Sequence, residues 1–470
     1  MTSQLTALDA TFLELEDADP SAHMHIGGIL VFDRTPSGGA PSLEEVWCML
    51  DARIDALPRY RMRLDPPHLG RLARPTWRPD PTFDIRRHVH RATLPAPGGW
   101  EELLEWAGVY FAQRIDRTEP LWEVVLLEGL GDGHWALVTK THHALVDGVG
   151  SVDVAHLLLD ASPEPRTDDE VDLTALDDEP RHPSLPGWIP ARMIVRSAEA
   201  GLDLVRHPSG VAQLARRSLA LAGLLVDDEL HGAPHSSINE PIGGQRRLRA
   251  AGVPLDELKL VKSTLGGTVN DVVLAAVTGG LRALLLERGE QPPAQGLRAM
   301  VPMNVRATEE HAQLGNKISS LFVELPVAEE NPIARFERIR DTTQKLKEST
   351  KPLGADSLLR VAELAPPALH AGLSRALFAT RLFNVTVTNV PGPAERLYAF
   401  GAPLKTVWPL VPLAADHAIG IAVLSYAGQV TFGINADFDT VPDVDVLARG
   451  IVDALAELQR LCHSVVASTA

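Results

Sequence analysis

The chain has 470 residues, 45% of them hydrophobic and 22% charged, and carries a formal net charge of -17. The length suggests roughly two or three compact units, and so large an apolar share excludes wholesale disorder. The acidic balance opposes phosphate backbones and so argues against nucleic acid. The two cysteines, Cys48 and Cys462, are too few for a disulfide framework or a Cys-rich metal site, which points to a reducing cytosol.

The N-terminal stretch MTSQLTALDATFLELEDADP lacks a basic segment followed by an apolar core, so no secretory signal is expected. The apolar run from Met24 to Phe32 reads as a strand. Ser42, with Glu45 three residues on, forms a capping box ahead of Val46, Leu50 and Ile54, and Pro58 stops that helix. LWEVVLLEGL and HWALVTKTH flank Gly131-Asp132-Gly133 and read as a hairpin. From Ser162 to Pro186 the chain is acidic and proline-rich, the composition of a solvated linker. Between Trp188 and Val226 apolar residues recur at helical spacing, interrupted at Pro208-Ser209-Gly210. A packed bridging helix and a membrane-surface element both fit that pattern.

Beyond residue 245 helices and strands alternate again. The uncharged stretch from Ala418 to Ala436 alternates apolar residues on either side of Tyr426-Ala427-Gly428-Gln429, a hairpin rather than a membrane span. A terminal helix runs from Asp443 to about Leu461. The simplest organisation is an N-terminal domain over 1–161, a linker with bridging helices over 162–244 and a C-terminal domain over 245–470, both domains α/β or α+β.

The strongest chemical signal is His142-His143-Ala144-Leu145-Val146-Asp147-Gly148, at the end of the second hairpin strand. With 17 His and 36 Gly in the chain, chance produces this arrangement on the order of a few times in a thousand. Adjacent strand residues point to opposite faces, so one histidine serves chemistry and the other structure, and a shared metal site is not expected. An imidazole of pKa near 6.5 can take a proton from a hydroxyl. Asp147 has two readings: a carboxylate that fixes the loop through an arginine, or a direct partner of the base. Gly148 supplies backbone freedom or room for substrate.

HHxxxDG is the signature of the coenzyme A dependent acyltransferase superfamily. Pro120-Leu121-Trp122, Thr268-Val269-Asn270-Asp271, Pro302 with Arg306, Gly315-Asn316-Lys317-Ile318-Ser319 and Thr388-Asn389-Val390-Pro391-Gly392-Pro393 extend the match, in order, over nearly the whole chain. Together they resemble the bacterial wax ester synthase/diacylglycerol acyltransferase family. The resemblance implies two chloramphenicol-acetyltransferase-like domains, each a mixed sheet with flanking helices, meeting at an active-site tunnel. It implies His143 as general base and attack of a lipid hydroxyl on an acyl-coenzyme A thioester. The acyl-coenzyme A is substrate, and no cofactor is expected. The implied partners are acyl-coenzyme A and a diacylglycerol or long-chain alcohol. The cysteine usage points to a cytoplasmic protein, and the apolar substrates with the 188–226 segment motivate peripheral association with the membrane face or lipid droplets.

Thr268 is placed to cap a helix from Val269 to about Leu286, with Asn270 and Asp271 in its first turn. Asn270 and Asp271 are both candidates for positioning substrate or the oxyanion, with membership of a capping box as the alternative for Asn270. Thr388 and Asn389 end an apolar strand, where they are oxyanion-donor candidates or ordinary strand and turn residues. Trp122 reads as a core aromatic. Arg306 and Lys317 are candidates for coenzyme A phosphates, or solvated charges, or the partner of Asp147. The string Pro302-Met303-Asn304-Val305-Arg306 departs from the small residues usual in the family, a change that bears on acceptor choice. Two other readings share the motif: a condensation-type domain acting on carrier-bound acyl chains, and a non-catalytic lipid-binding homologue.

Overall fold

A computed structural model describes residues 3–65, 75–145, 158–164, 232–304, 318–350 and 382–469. The N-terminal part runs β1 (Ser3–Gln4), α1 (Ala7–Ala18), β2 (His25–Phe32), α2 (Leu43–Arg53), β3 (Met62–Asp65), β4 (Thr76–Pro79), β5 (Val89–Thr93), α3 (Trp100–Phe111), β6 (Trp122–Glu128) and β7 (Trp135–His142). After residue 232 come β8 (Arg246–Pro254), α4 (Leu255–Leu265), α5 (Val269–Glu287), β9 (Leu297–Asn304), β10 (Ile318–Leu325) and α6 (Pro332–Thr350). Then follow β11 (Val385–Pro391), β12 (Tyr398–Ala399), β13 (Ala402–Leu410), β14 (Ile419–Tyr426), β15 (Gln429–Asp437) and α7 (Val444–Thr469).

Local chemistry accounts for several boundaries. Ser42 Oγ accepts the Glu45 N–H while the Glu45 carboxylate accepts from the Ser42 N–H, which closes the capping box of α2. Its α-helical part ends at Arg53, earlier than Pro58 requires, and continues as 3₁₀ turns at Ile54–Ala56 and Pro58–Arg61. β14 and β15 are joined by Ala427 and Gly428 at φ of 44° and 81°, the left-handed pair that a two-residue hairpin of matching twist requires. α7 extends past Leu461 to Thr469.

Two six-stranded mixed sheets organise the molecule, with a small sheet β1-β4-β3 beside them. One has the order β12-β13-β2-β7-β6-β5 and the other β10-β9-β11-β14-β15-β8. Residues 398–410 therefore sit in a sheet whose other four strands all lie between residues 25 and 142, so the division of the chain at 245 is crossed by a strand exchange. Polar contacts tie the exchanged strand back to the second sheet: Thr431 Oγ1 donates to the Val407 carbonyl at 2.6 Å and Asn435 Nδ2 to the Val411 carbonyl at 2.8 Å. The acidic linker beyond residue 164 and the 188–226 segment lie outside the described residues.

The larger core lies between the second sheet and α5 and α7, and it takes in Leu15, Ala22 and Met24 from the N-terminal part. Among the described residues α5 alone is long and apolar enough to span a membrane, and it is mostly buried in this core. Trp122 is buried and donates its indole N–H to the Tyr60 carbonyl at 2.8 Å, the partner an enclosed tryptophan needs.

Candidate active site

β7 delivers the two histidines. Its register with β2 sets His142 directly opposite His25, so both side chains share one face of the sheet. The His142 N–H donates to the Leu121 carbonyl at 2.9 Å, and the His143 N–H donates to the Met24 carbonyl at 2.8 Å. The strand ladder thus holds both backbones up to the point where the motif leaves the sheet.

The side chains then part. His142 is fully buried, and its Nδ1 accepts the Ala144 N–H at 3.0 Å. A backbone N–H is only a donor, so the ring proton must sit on Nε2, which donates to Glu16 Oε2 at 3.1 Å. His143 is half-buried and stacks on the ring of Phe12, with centroids 4.0 Å apart and planes 16° from parallel. Phe12 and Glu16 are four residues apart on α1, one turn of one helix face. A single turn of α1 therefore addresses both histidines.

Glu16 is 2% exposed and gathers several donors besides His142. Arg117 Nε donates to it at 2.9 Å and Arg114 Nε at 3.3 Å, while His25 Nε2, which accepts the Ile115 N–H, stands 3.8 Å away without donating to it. Burial by itself raises the carboxyl pKa, but the hydrogen bond from His142 and the Arg117 guanidinium outweigh it and hold Glu16 far below the usual carboxylate range. Burial pushes the His142 imidazole below its ordinary value, partly offset by Glu16, and pushes His25 well below. The arrangement is a fixed anion clamping a neutral, single-tautomer His142.

The second group of candidates comes from α5 and β11. Thr268 caps α5 as the sequence predicts: its Oγ1 accepts from the Asp271 N–H at 3.3 Å, and Asp271 Oδ2 accepts from the Thr268 N–H at 2.7 Å. Asp271 Oδ1 accepts from Thr343 Oγ1 of α6 at 2.7 Å, so both of its oxygens are engaged in structure. Asn270 turns the other way and meets Asn389, whose Nδ2 donates to Asn270 Oδ1 at 3.3 Å. Thr388 and Asn389 lie where β11, having paired with β9 at Val385 and Thr386, continues along β14 alone. Asp147, Gly148, Arg306 and Lys317 lie outside the described residues.

The wax ester synthase/diacylglycerol acyltransferase catalytic-domain model matches residues 5–273, and the C-terminal domain model of the same family matches residues 314–459. The chain belongs to this family. As a family member it is 35% identical over 465 residues to a probable diacylglycerol O-acyltransferase of Mycobacterium tuberculosis, covering 97% of this chain and 96% of the relative. A second M. tuberculosis relative of the same description is 32% identical over 464 residues, covering 96% and 98%. Among solved structures it is similar to the wax ester synthase/diacylglycerol acyltransferase of Marinobacter aquaeolei VT8, with a TM-score of 0.70, 27% identity and coverage of 98% and 100%. The starter condensation domain of rhizomide synthetase follows at a TM-score of 0.60 and 17% identity, covering 98% and 95%. That likeness is one of fold. The two-sheet α/β architecture expected from the motif is the one observed.

Sequence reasoning missed three residues beside the paired histidines, and two of them, Phe12 and Glu16, had no signal in the sequence; the third is His25. FLELEDADP reads as an ordinary acidic stretch, and only the 126-residue leap from Glu16 to His142 gives it meaning. His25, inside an apolar run, offered one clue as a polar residue in a strand otherwise ready for burial.

Proposed function

We propose that the chain transfers a fatty acyl group from acyl-coenzyme A to the hydroxyl of diacylglycerol, a long-chain alcohol, or both, with His143 as general base. The observation that carries this reading is the separation of the two histidines. His142 has both ring nitrogens engaged, at Ala144 and Glu16, while His143 stands half-buried on Phe12. The imidazole of His143 takes the hydroxyl proton as the oxygen attacks the thioester carbonyl. The tetrahedral intermediate then collapses, the carbon–sulfur bond breaks, and the coenzyme A thiolate recovers the proton from the imidazolium.

The intermediate carries an oxyanion, and side-chain amides are suited to meet it. The Asn270–Asn389 pair and Thr388 are our candidates for holding the reacting groups, while Asp271 works through the helix cap. Asp147 and Gly148, which close the HHALVDG motif, are candidates for supporting the base, and Arg306 and Lys317 are the candidates for the coenzyme A phosphates. No cofactor beyond the acyl-coenzyme A substrate takes part. The location we propose is cytoplasmic, with peripheral attachment to the membrane face or lipid droplets, since donor chain, acceptor and product are all apolar. Flotation with neutral and anionic vesicles tests that attachment; a protein that stays wholly in the soluble fraction refutes it.

Thiol release from palmitoyl-coenzyme A, with and without diacylglycerol or hexadecanol, tests the chemistry. Alcohol-dependent release that falls by about a hundred to ten thousand fold in His143→Ala supports the base assignment. Equal release in both proteins refutes it.

A further inference from the structure

The Phe12–His143 stack has a chemical consequence beyond packing. Its 4.0 Å separation puts the imidazole over the ring face, where a benzene quadrupole is negative. A neutral imidazole gains little from that field, whereas a cation within about 6 Å of the centroid is attracted by it, more strongly as water is excluded. In the reaction proposed above His143 is neutral before proton transfer and an imidazolium during it. An interaction that strengthens along this coordinate lowers the barrier rather than merely tightening the ground state.

We propose that Phe12 is a positioning residue for the base, holding the His143 ring and stabilising the imidazolium that forms on it as the acceptor hydroxyl loses its proton. This inference rests on the reading of His143 as general base. The ring of Phe12 is itself confined. It packs against the larger core on the side of the second sheet. α1 is pinned at its start by Thr6, which accepts the Asp9 N–H, and near its end by the Glu16 network. Ionisable groups on the surrounding elements are Asp9, Glu14, Glu16 and Asp17 of α1, His23 just before β2, His25 at the start of β2, and Lys140 and His142 of β7. The Glu16 carboxylate is committed to His142, Arg114 and Arg117, and burial disfavours the charged forms of His23, His25 and His142. Replacing Phe12 by another uncharged residue leaves the charge of each of these groups in place.

The test is the pH profile of kcat/KM for alcohol-dependent thiol release from palmitoyl-coenzyme A by the full chain, comparing wild type, Phe12→Leu, Phe12→Met, Phe12→Trp and His143→Ala. With an aliphatic residue at position 12 the plateau falls roughly 3- to 30-fold, and the acid limb moves to lower pH because the imidazolium is less stable. Phe12→Trp restores both plateau and limb. Phe12→Met serves if Phe12→Leu fails to fold. Equal losses in the aliphatic and aromatic variants, with the acid limb unmoved, overturn the inference and leave Phe12 as packing. If His143→Ala keeps alcohol-dependent release, the base assignment itself fails; if that variant is inactive and the aliphatic Phe12 variants match wild type, only the role of Phe12 fails.

Discussion

Glu16 Oε2 accepts a hydrogen bond from His142 Nε2 at 3.1 Å, and both side chains are buried. This one contact ties the helix that precedes the first sheet to the strand that ends in the HHALVDG motif. It also selects the His142 tautomer, since Nδ1 is occupied as an acceptor by the Ala144 N–H. The backbone that projects His143 is therefore positioned through a carboxylate 126 residues away.

Removing that carboxylate leaves the buried His142 Nε2–H without its acceptor and takes the shared anion from Arg114 and Arg117. Glu16→Ala is expected to lower stability by about 3 to 5 kcal/mol, the range for breaking one side of a buried charged pair. Urea denaturation at neutral pH measures it; a change under about 1 kcal/mol would show that the network contributes little.

The same cluster governs acid sensitivity. Glu16 has a folded pKa below its unfolded value near 4.5, so its stabilisation is present above that pH and is lost as pH falls below it. His23, His25 and His142 are lowered from 6.5 chiefly by burial. The unfolded chain therefore binds more protons than the folded one below about pH 6.5, and stability erodes as pH falls through that window. His25→Gln should flatten the slope of unfolding free energy between about pH 6.5 and 5. An unchanged slope in the variant would remove His25 from the explanation.

Asp271 and Asn270 are neighbours with opposite expected phenotypes. Asp271→Ala keeps the Thr268 cap on the backbone N–H of residue 271 but loses the carboxylate half of the α5 capping box and the Thr343 bond, so stability is expected to drop by about 2 kcal/mol, with kcat of the folded enzyme changed only a few fold. Asn270→Ala should leave the thermal midpoint nearly in place and lower kcat by roughly a hundred fold if its amide meets the reacting groups. Thermal melts run beside the thiol assay separate the two. A kcat loss in Asp271→Ala as large as that in Asn270→Ala would move Asp271 into the chemistry.

The strand exchange makes its own demand. A Cβ added at Gly433 of β15 lies 1.7 Å from the Pro409 carbonyl oxygen of β13, a backbone atom that cannot swing aside. Gly433→Ala is expected to cost at least about 1 to 3 kcal/mol and to shift the thermal midpoint accordingly. A variant as stable as wild type would show that the two sheets separate readily at this crossing.

Much of the molecule was legible because its causes are local. The capping box of Ser42 with Glu45 and the Thr268 cap of α5 each depend on residues three apart, although Asp271 and not Asn270 closes the second box, and the Ala427-Gly428 hairpin needs only its own two dihedrals. The end of β7 at the paired histidines follows from the alternation of the strand leading to it. The motif order along the chain likewise carried the family assignment, since it depends on residue identity and not on packing.

Tertiary structure alone decided which histidine is clamped, which helix clamps it and which amides meet. Phe12 and Glu16 are separated from their histidines by most of the first sheet, and Asn270 lies 119 residues from Asn389. Nothing in the periodicity of α1 marks one of its acidic residues over another, and nothing in β13 marks it for a sheet built from residues 25–142. Short-range structure is dictated by the conformational needs of a few consecutive residues, whereas these pairings exist only once distant segments have buried their apolar faces together and brought the polar groups between them within reach.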